Sequence, residues 1–199
     1  METWLATSPW YGVILWVILY IGDYSLTIRS ARGFREIGHF QFEGSFELTP
    51  QFQKDVDALQ PVSKRHITLL VLISILIMLL WWLTQRAILF PRAYLLLLGM
   101  FLLMEVAIHF RHLRNLFLIG EVRKNGGVEG QIFYRKWFSY RISALEFYMF
   151  SALFLIIAVL NYSPFFLGGA IACFAVGFNH NKLAKKTRSI PPPIVETPR

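Results

Sequence analysis

Cysteine is nearly missing from this sequence. Cys173 is the single one in 199 residues, which excludes an intrachain disulfide and any metal site built from several thiolates. Its setting inside an apolar run marks it as a packing residue. The chain also lacks lysine and arginine before its first apolar run, and no small-residue cleavage site follows that run. A cleavable secretory signal is therefore not expected, and the first segment should stay in place. Missing too are a Gly-x-Ser-x-Gly elbow, a phosphate-binding Gly-x4-Gly-Lys-Ser/Thr loop, a His-Glu-x-x-His pair and the paired-aspartate pattern of lipid phosphotransferases. Those absences leave no familiar enzyme class to assign from motifs. Filter-like loops, broken-helix repeats and internal repeats are likewise not found.

What is abundant is hydrocarbon. The sequence is 55% hydrophobic with a mean hydropathy of +0.48, and runs such as 67–82 and 145–160 approach the roughly 20 residues a helix needs to cross a bilayer. Five spans are predicted, at about 9–29, 66–84, 88–110, 143–161 and 164–179. Pro91 is well placed near the start of the third, and Asn161-Tyr162-Ser163-Pro164 forms a turn-like break between the fourth and fifth. The fold class expected is all-α and integral to a membrane: a bundle of about five transmembrane helices in a single domain over 1–188. Residues 189–199, proline-rich, are expected to be a disordered tail.

The net charge of +8 is unevenly placed. The segments 30–65 and 111–142 and the residues after 179 hold most of the lysines and arginines, whereas the N-terminus and the 161–164 turn hold none. The positive-inside rule then puts the N-terminus outside and the C-terminus in the cytoplasm, most simply of a bacterial cytoplasmic membrane. Trp10, Trp81, Trp82 and Tyr162 fall at the expected outer boundary, where aromatic belts form. The cations flank apolar runs instead of gathering on one folded face, so nucleic acid is not an expected partner. Anionic lipids at the cytoplasmic face are.

Within the cytoplasmic segments, Thr49-Pro50 reads as a helix start for a short helix that Pro61 ends. Phe40, Phe42 and Phe46 alternate with polar residues, which suits either a short extended segment or an interfacial anchor. Asn125-Gly126-Gly127, between 118–124 and 128–134, predicts a small cytoplasmic β-hairpin.

Three acids interrupt three different apolar runs: Asp23, Glu105 and Glu146. Each costs about 2.5–3.5 kcal/mol at the centre of a spanning helix, so such residues normally face protein. Counting from the span ends at about 1.5 Å per residue places them about 9, 7 and 6 Å inside the cytoplasmic boundary. They thus share one layer. Glu105, His109 and His112 fall within a sector of roughly 60° on the third span, Tyr20 and Thr27 stand one helical turn either side of Asp23, and Arg111, Arg114 and Arg141 are close enough in sequence to neutralise acids. Three roles fit this layer. Acids pair with Arg and His and lock helices together; or Glu105, His109 and His112 hold a divalent metal, with Asp23 or Glu146 completing its shell; or the layer lines a cavity for a lipid headgroup, ion or small solute. Gly169, Cys173 and Gly177 recur every four residues on the fifth span, a small-residue face for packing within the chain or for a homodimer.

The function expected is that of a non-enzymatic scaffold, accessory subunit to a membrane-protein partner, or lipid- or ion-binding protein, organised around the layer of Asp23, Glu105, His109, His112, Glu146, Arg111 and Arg141. The alternative is a membrane-embedded, metal-dependent enzyme acting on lipid, in which Asp23 or Glu146 serves as general base.

Overall fold

The computed structural model describes residues 2–88 and 90–189; the expected tail at 189–199 lies outside them apart from Ser189. Helix dominates. After a short 3-10 turn at Glu2–Ala6, helix α1 runs Pro9–Ile37, α2 Pro50–Asp57, α3 Lys64–Trp82, α4 Pro91–Asn125, α5 Lys136–Asn161 and α6 Pro164–Arg188. Two three-residue strands, β1 (Phe40–Phe42) and β2 (Ile132–Tyr134), complete the order. Four helical stretches are long and apolar enough to cross a membrane: Pro9–Ile37, Lys64–Ala87, Pro91–Asn125 and Lys136–Asn161. The second of these includes a π-helical turn, Leu83–Ala87, that follows α3.

α6 falls short of the same measure although it is 25 residues long. Its apolar stretch ends at Phe178, where Asn179, His180 and Asn181 begin. Much of that stretch is small: Gly168, Gly169, Ala170, Ala172, Cys173 and Gly177 are all buried. α6 lies between α4 and α5, with α1 on the far side of α4 and α3 outermost against α1. Small residues let the backbones close up. A Cβ on Gly168 would collide with the Leu96 carbonyl oxygen, and one on Gly99 with the carbonyl oxygen of Phe165. Of the face picked out in the sequence, Gly169 abuts Leu103 of α4, Gly177 abuts Tyr148 and Ala144 of α5, and Cys173 is completely buried among core side chains. That face therefore serves packing inside the chain.

Helix ends follow the local chemistry. Ser8, Ser63 and Ser163 accept a hydrogen bond from the first turn of the helix that each precedes, and Pro9, Pro50, Pro91 and Pro164 sit at helix starts, where a missing N–H costs nothing. Thr49 does precede α2, but its hydroxyl caps nothing.

The predicted hairpin does not form. Residues 118–124 remain in α4, which runs to Asn125, and Gly126 at φ 70° lets its N–H turn back to Val122. Asn125-Gly126-Gly127 is thus a helix terminator, because Ile119 and Val122 keep a helical stripe against Phe34 and Phe40. Only Ile132–Tyr134 becomes a strand, and it pairs in parallel with β1, Phe40 opposite Ile132 and Phe42 opposite Tyr134. Around this pair, Glu43 N–H donates to the Tyr134 carbonyl (2.9 Å) and His39 Nδ1–H to the Gly130 carbonyl (2.7 Å). The segments 30–65 and 111–142 therefore fold onto one another at the end of the bundle that carries most of the basic residues.

The outward surface is apolar along the long helices. Ile14, Ile18, Val71, Ile75, Leu79, Leu145, Ile156 and Val159 are all exposed large hydrophobic side chains. Within Lys64–Ala87 only 11% of the most apolar stretch is buried inside the protein.

Candidate functional site

A cavity of about 440 Å³ opens at the basic end of the bundle, walled by α1, α4, α5 and α6 and covered by the folded segment between α1 and α3. Its polar groups come from elements far apart in sequence: Asp23 and Thr27 from α1, Glu47 from the covering segment, His66 from α3, Glu105, Arg111, His112 and Arg114 from α4, Glu146 from α5 and His180 from α6. Aromatic rings fill much of the remaining wall, including Phe34, Phe42, Phe46 and Tyr134 around the strand pair.

Two charge clusters organise the interior. On one side His112 Nε2 lies 3.2 Å from Asp23 Oδ1 and 3.0 Å from Thr27 Oγ1, joining α4 to α1. On the other, Arg111 Nε donates to Glu146 Oε2 at 2.8 Å, and Arg114 pairs with the other oxygen of the same carboxylate. The guanidinium of Arg111 also lies over the Phe147 ring, 5.1 Å from its centroid, a favourable place for a cation. These long side chains bridge α4 and α5 where the two helices have little direct backbone contact.

Glu105 precedes Arg111 and His112 on α4 and is only 3% exposed. Its Oε2 is buried without a hydrogen-bond partner among the described residues. Glu47 accepts the backbone N–H of Thr49 at 2.7 Å. Burial pushes its carboxyl above the ordinary carboxylate range; the hydrogen bonds from Thr49 act against this and are the smaller effect. His66 donates through Nε2–H to the Tyr20 carbonyl at 3.0 Å and stacks on the Tyr20 ring at 3.9 Å. At the α6 wall, Ser143 Oγ and His180 Nδ1 share a hydrogen bond of 2.8 Å.

Of the residues singled out in the sequence, Asp23, Glu105, Arg111, His112 and Glu146 line this one cavity. His109 and Arg141 do not. His109 donates through Nδ1–H to the carbonyl of Glu105 one turn back (2.8 Å) and presents its other ring nitrogen to α1 at Gly22. Arg141 hydrogen-bonds Asn181 of α6 instead of an acid. The metal arrangement expected of Glu105, His109 and His112 is not assembled: among the described residues no three His, Cys, Asp or Glu side chains are grouped so as to hold an ion. The reason is local, since His109 is turned into its own helix and His112 is committed to Asp23.

Sequence reasoning missed Glu47, His66 and His180. Glu47 lies in a connection that folds back over the helices, His66 at the very start of a predicted span, and His180 one residue beyond the predicted end of another. The signal that was available is compositional: four of the five histidines, His66, His109, His112 and His180, sit at the basic ends of apolar runs, next to the layer of acids. No protein-family model, no curated protein and no solved structure matches the chain.

Proposed function

We propose that this chain is a non-enzymatic integral membrane protein that holds a small polar or amphiphilic ligand, such as a lipid headgroup, in the cavity at its basic end. In this reading five helices span the bilayer, α6 being the fifth, shielded by α4 and α5 and so able to be small and less apolar. The basic end faces the cytoplasm, by the positive-inside rule, and a bacterial cytoplasmic membrane is the simplest host. The exposed apolar faces of α1, α3 and α5 support a hydrocarbon surround, because water would penalise them heavily.

The observation that carries the proposal is the cavity itself. It has ligand-sized volume, and its lining includes Glu105, an acidic side chain 3% exposed whose Oε2 has no partner among the described residues. A purely structural lock would close its ion pairs and leave no room. The donor geometry gives no support to the metal-dependent enzyme weighed from the sequence.

Native mass spectrometry of the protein released gently from membranes tests this reading. A small-molecule or lipid adduct should accompany the wild type and be lost from Ile142→Trp, which fills the cavity from α5. A wild-type protein that carries no adduct, and that no added lipid class stabilises against heat, would overturn it.

A further inference from the structure

The acidic groups of the cavity outnumber its arginines, and the excess points to a ligand class. Four carboxyl groups line it, from Asp23, Glu47, Glu105 and Glu146, against two guanidinium groups, Arg111 and Arg114. Both arginines are spent on Glu146, and His112 answers Asp23. Glu105 has no ion pair among the described residues, and its buried Oε2 has no hydrogen bond there either. A buried carboxyl oxygen in that condition is desolvated without compensation, and a cationic partner would supply it.

An inorganic cation does not suit the geometry. No triad of metal-ligating side chains is grouped among the described residues, and about 440 Å³ far exceeds what a bare ion fills. The rest of the lining suits an organic group. Tyr20, Tyr24 and Phe52 gather around the His66 ring beside the acids, with Tyr24 4.6 Å and Phe52 6.1 Å from it. Phe42 and Tyr134 stack at 5.4 Å across the strand pair towards the covering segment. Aromatic walls with a carboxylate at the end are a recurrent environment for organic ammonium groups.

We infer that the ligand carries a protonated amine, which seats against Glu105 with Asp23 and Glu47 nearby, while its apolar portion runs along the aromatic lining. This rests on the reading of the cavity as a ligand site. The same chemistry is offered by the headgroup of an aminophospholipid and by a soluble alkylamine.

Calorimetric titration of the full chain in detergent with octylammonium and with octanoate, chains of equal length and opposite charge, separates the possibilities. Octylammonium should bind about 10- to 100-fold more tightly than octanoate, the range expected for a charge-assisted hydrogen bond. Glu105→Gln should lose most of that preference. Should Glu105→Gln not fold, Asp23→Asn and the comparison of the two probes on wild type still decide. Repeating the octylammonium titration in nanodiscs distinguishes the sources. Weaker binding in phosphatidylethanolamine than in phosphatidylglycerol discs means that a lipid headgroup competes for the site, and equal binding means a soluble amine; either agrees with the inference. Tighter binding of octanoate, abolished by Ile142→Trp, overturns the amine assignment while leaving the cavity a ligand site. Equal binding of both probes, unchanged in Glu105→Gln, also overturns it. Binding of neither probe by wild type overturns it as well, and adduct-free mass spectra together with no lipid stabilisation would then remove the ligand-site reading separately.

Discussion

His112 of α4 reaches Asp23 of α1 at 3.2 Å, with Thr27 of the same α1 face sharing the imidazole nitrogen at 3.0 Å. One short-range cluster therefore fixes the rotation of two long helices about their axes, and it does so at the wall of the cavity.

A double-mutant cycle should register that link. Asp23→Asn and His112→Ala are each expected to destabilise the protein, with a coupling of about 1–2 kcal/mol between them. Thermal unfolding in detergent measures it. Strictly additive losses would show that the two side chains do not communicate.

The Arg111–Glu146–Arg114 clamp should respond asymmetrically. Glu146→Gln removes the counter-charge of a largely enclosed guanidinium and should cost roughly 3 kcal/mol. Arg114→Ala should cost less than about 1 kcal/mol, because that side chain is 54% exposed and water screens it. Equal losses from the two substitutions would contradict the geometry.

Glycines in α4 and α6 should divide sharply by position. Gly168→Ala forces a methyl group into the Leu96 carbonyl, so helices α4 and α6 must separate; a loss of about 1–3 kcal/mol is expected, as for overpacked cores. Gly120→Ala meets nothing within 4 Å and should instead stabilise α4 by roughly 0.5–1 kcal/mol. Melting curves of the two variants side by side provide the check.

Glu47 gives a pH dependence with a definite sign. Its carboxyl is held above the ordinary range by burial, so the folded state prefers the proton more than the unfolded chain does. The sequence of states follows: no penalty below the unfolded value, then a stability loss that grows as pH rises from there towards the folded value. Glu47→Gln keeps an acceptor for the Thr49 N–H but cannot ionise. Its Tm advantage over wild type should be larger at pH 8 than at pH 4; a gap that is flat with pH would rule out this role.

Much of this architecture was legible in the sequence, and the failures have physical causes. Long apolar runs, two of them entered at Pro91 and Pro164, marked the helix starts, because both signals are local. Helix ends were set too early: α1 and α4 run to Ile37 and Asn125, past the point where apolarity fades, because Phe34, Ile119 and Val122 continue one buried stripe. The strand pair was illegible since β1 and β2 lie in different halves of the chain and neither alone signals its partner. Helical rise alone gave Asp23, Glu105 and Glu146 a common level, and all three line one cavity. It could not give the rotation of each side chain, which is why His109 and Arg141 were grouped with groups that they do not meet.

The lining begins at Tyr20 and ends at His180, and this spread has a consequence for biogenesis. During synthesis the first four long helices can settle while one wall of the chamber is still missing, so the side that Val176 and His180 will line stays open until α6 wedges in beside Gly99. If the chamber is the ligand site proposed above, binding competence arrives late and all at once. A nascent chain arrested before α6 emerges should be helical yet unable to retain anything in that space.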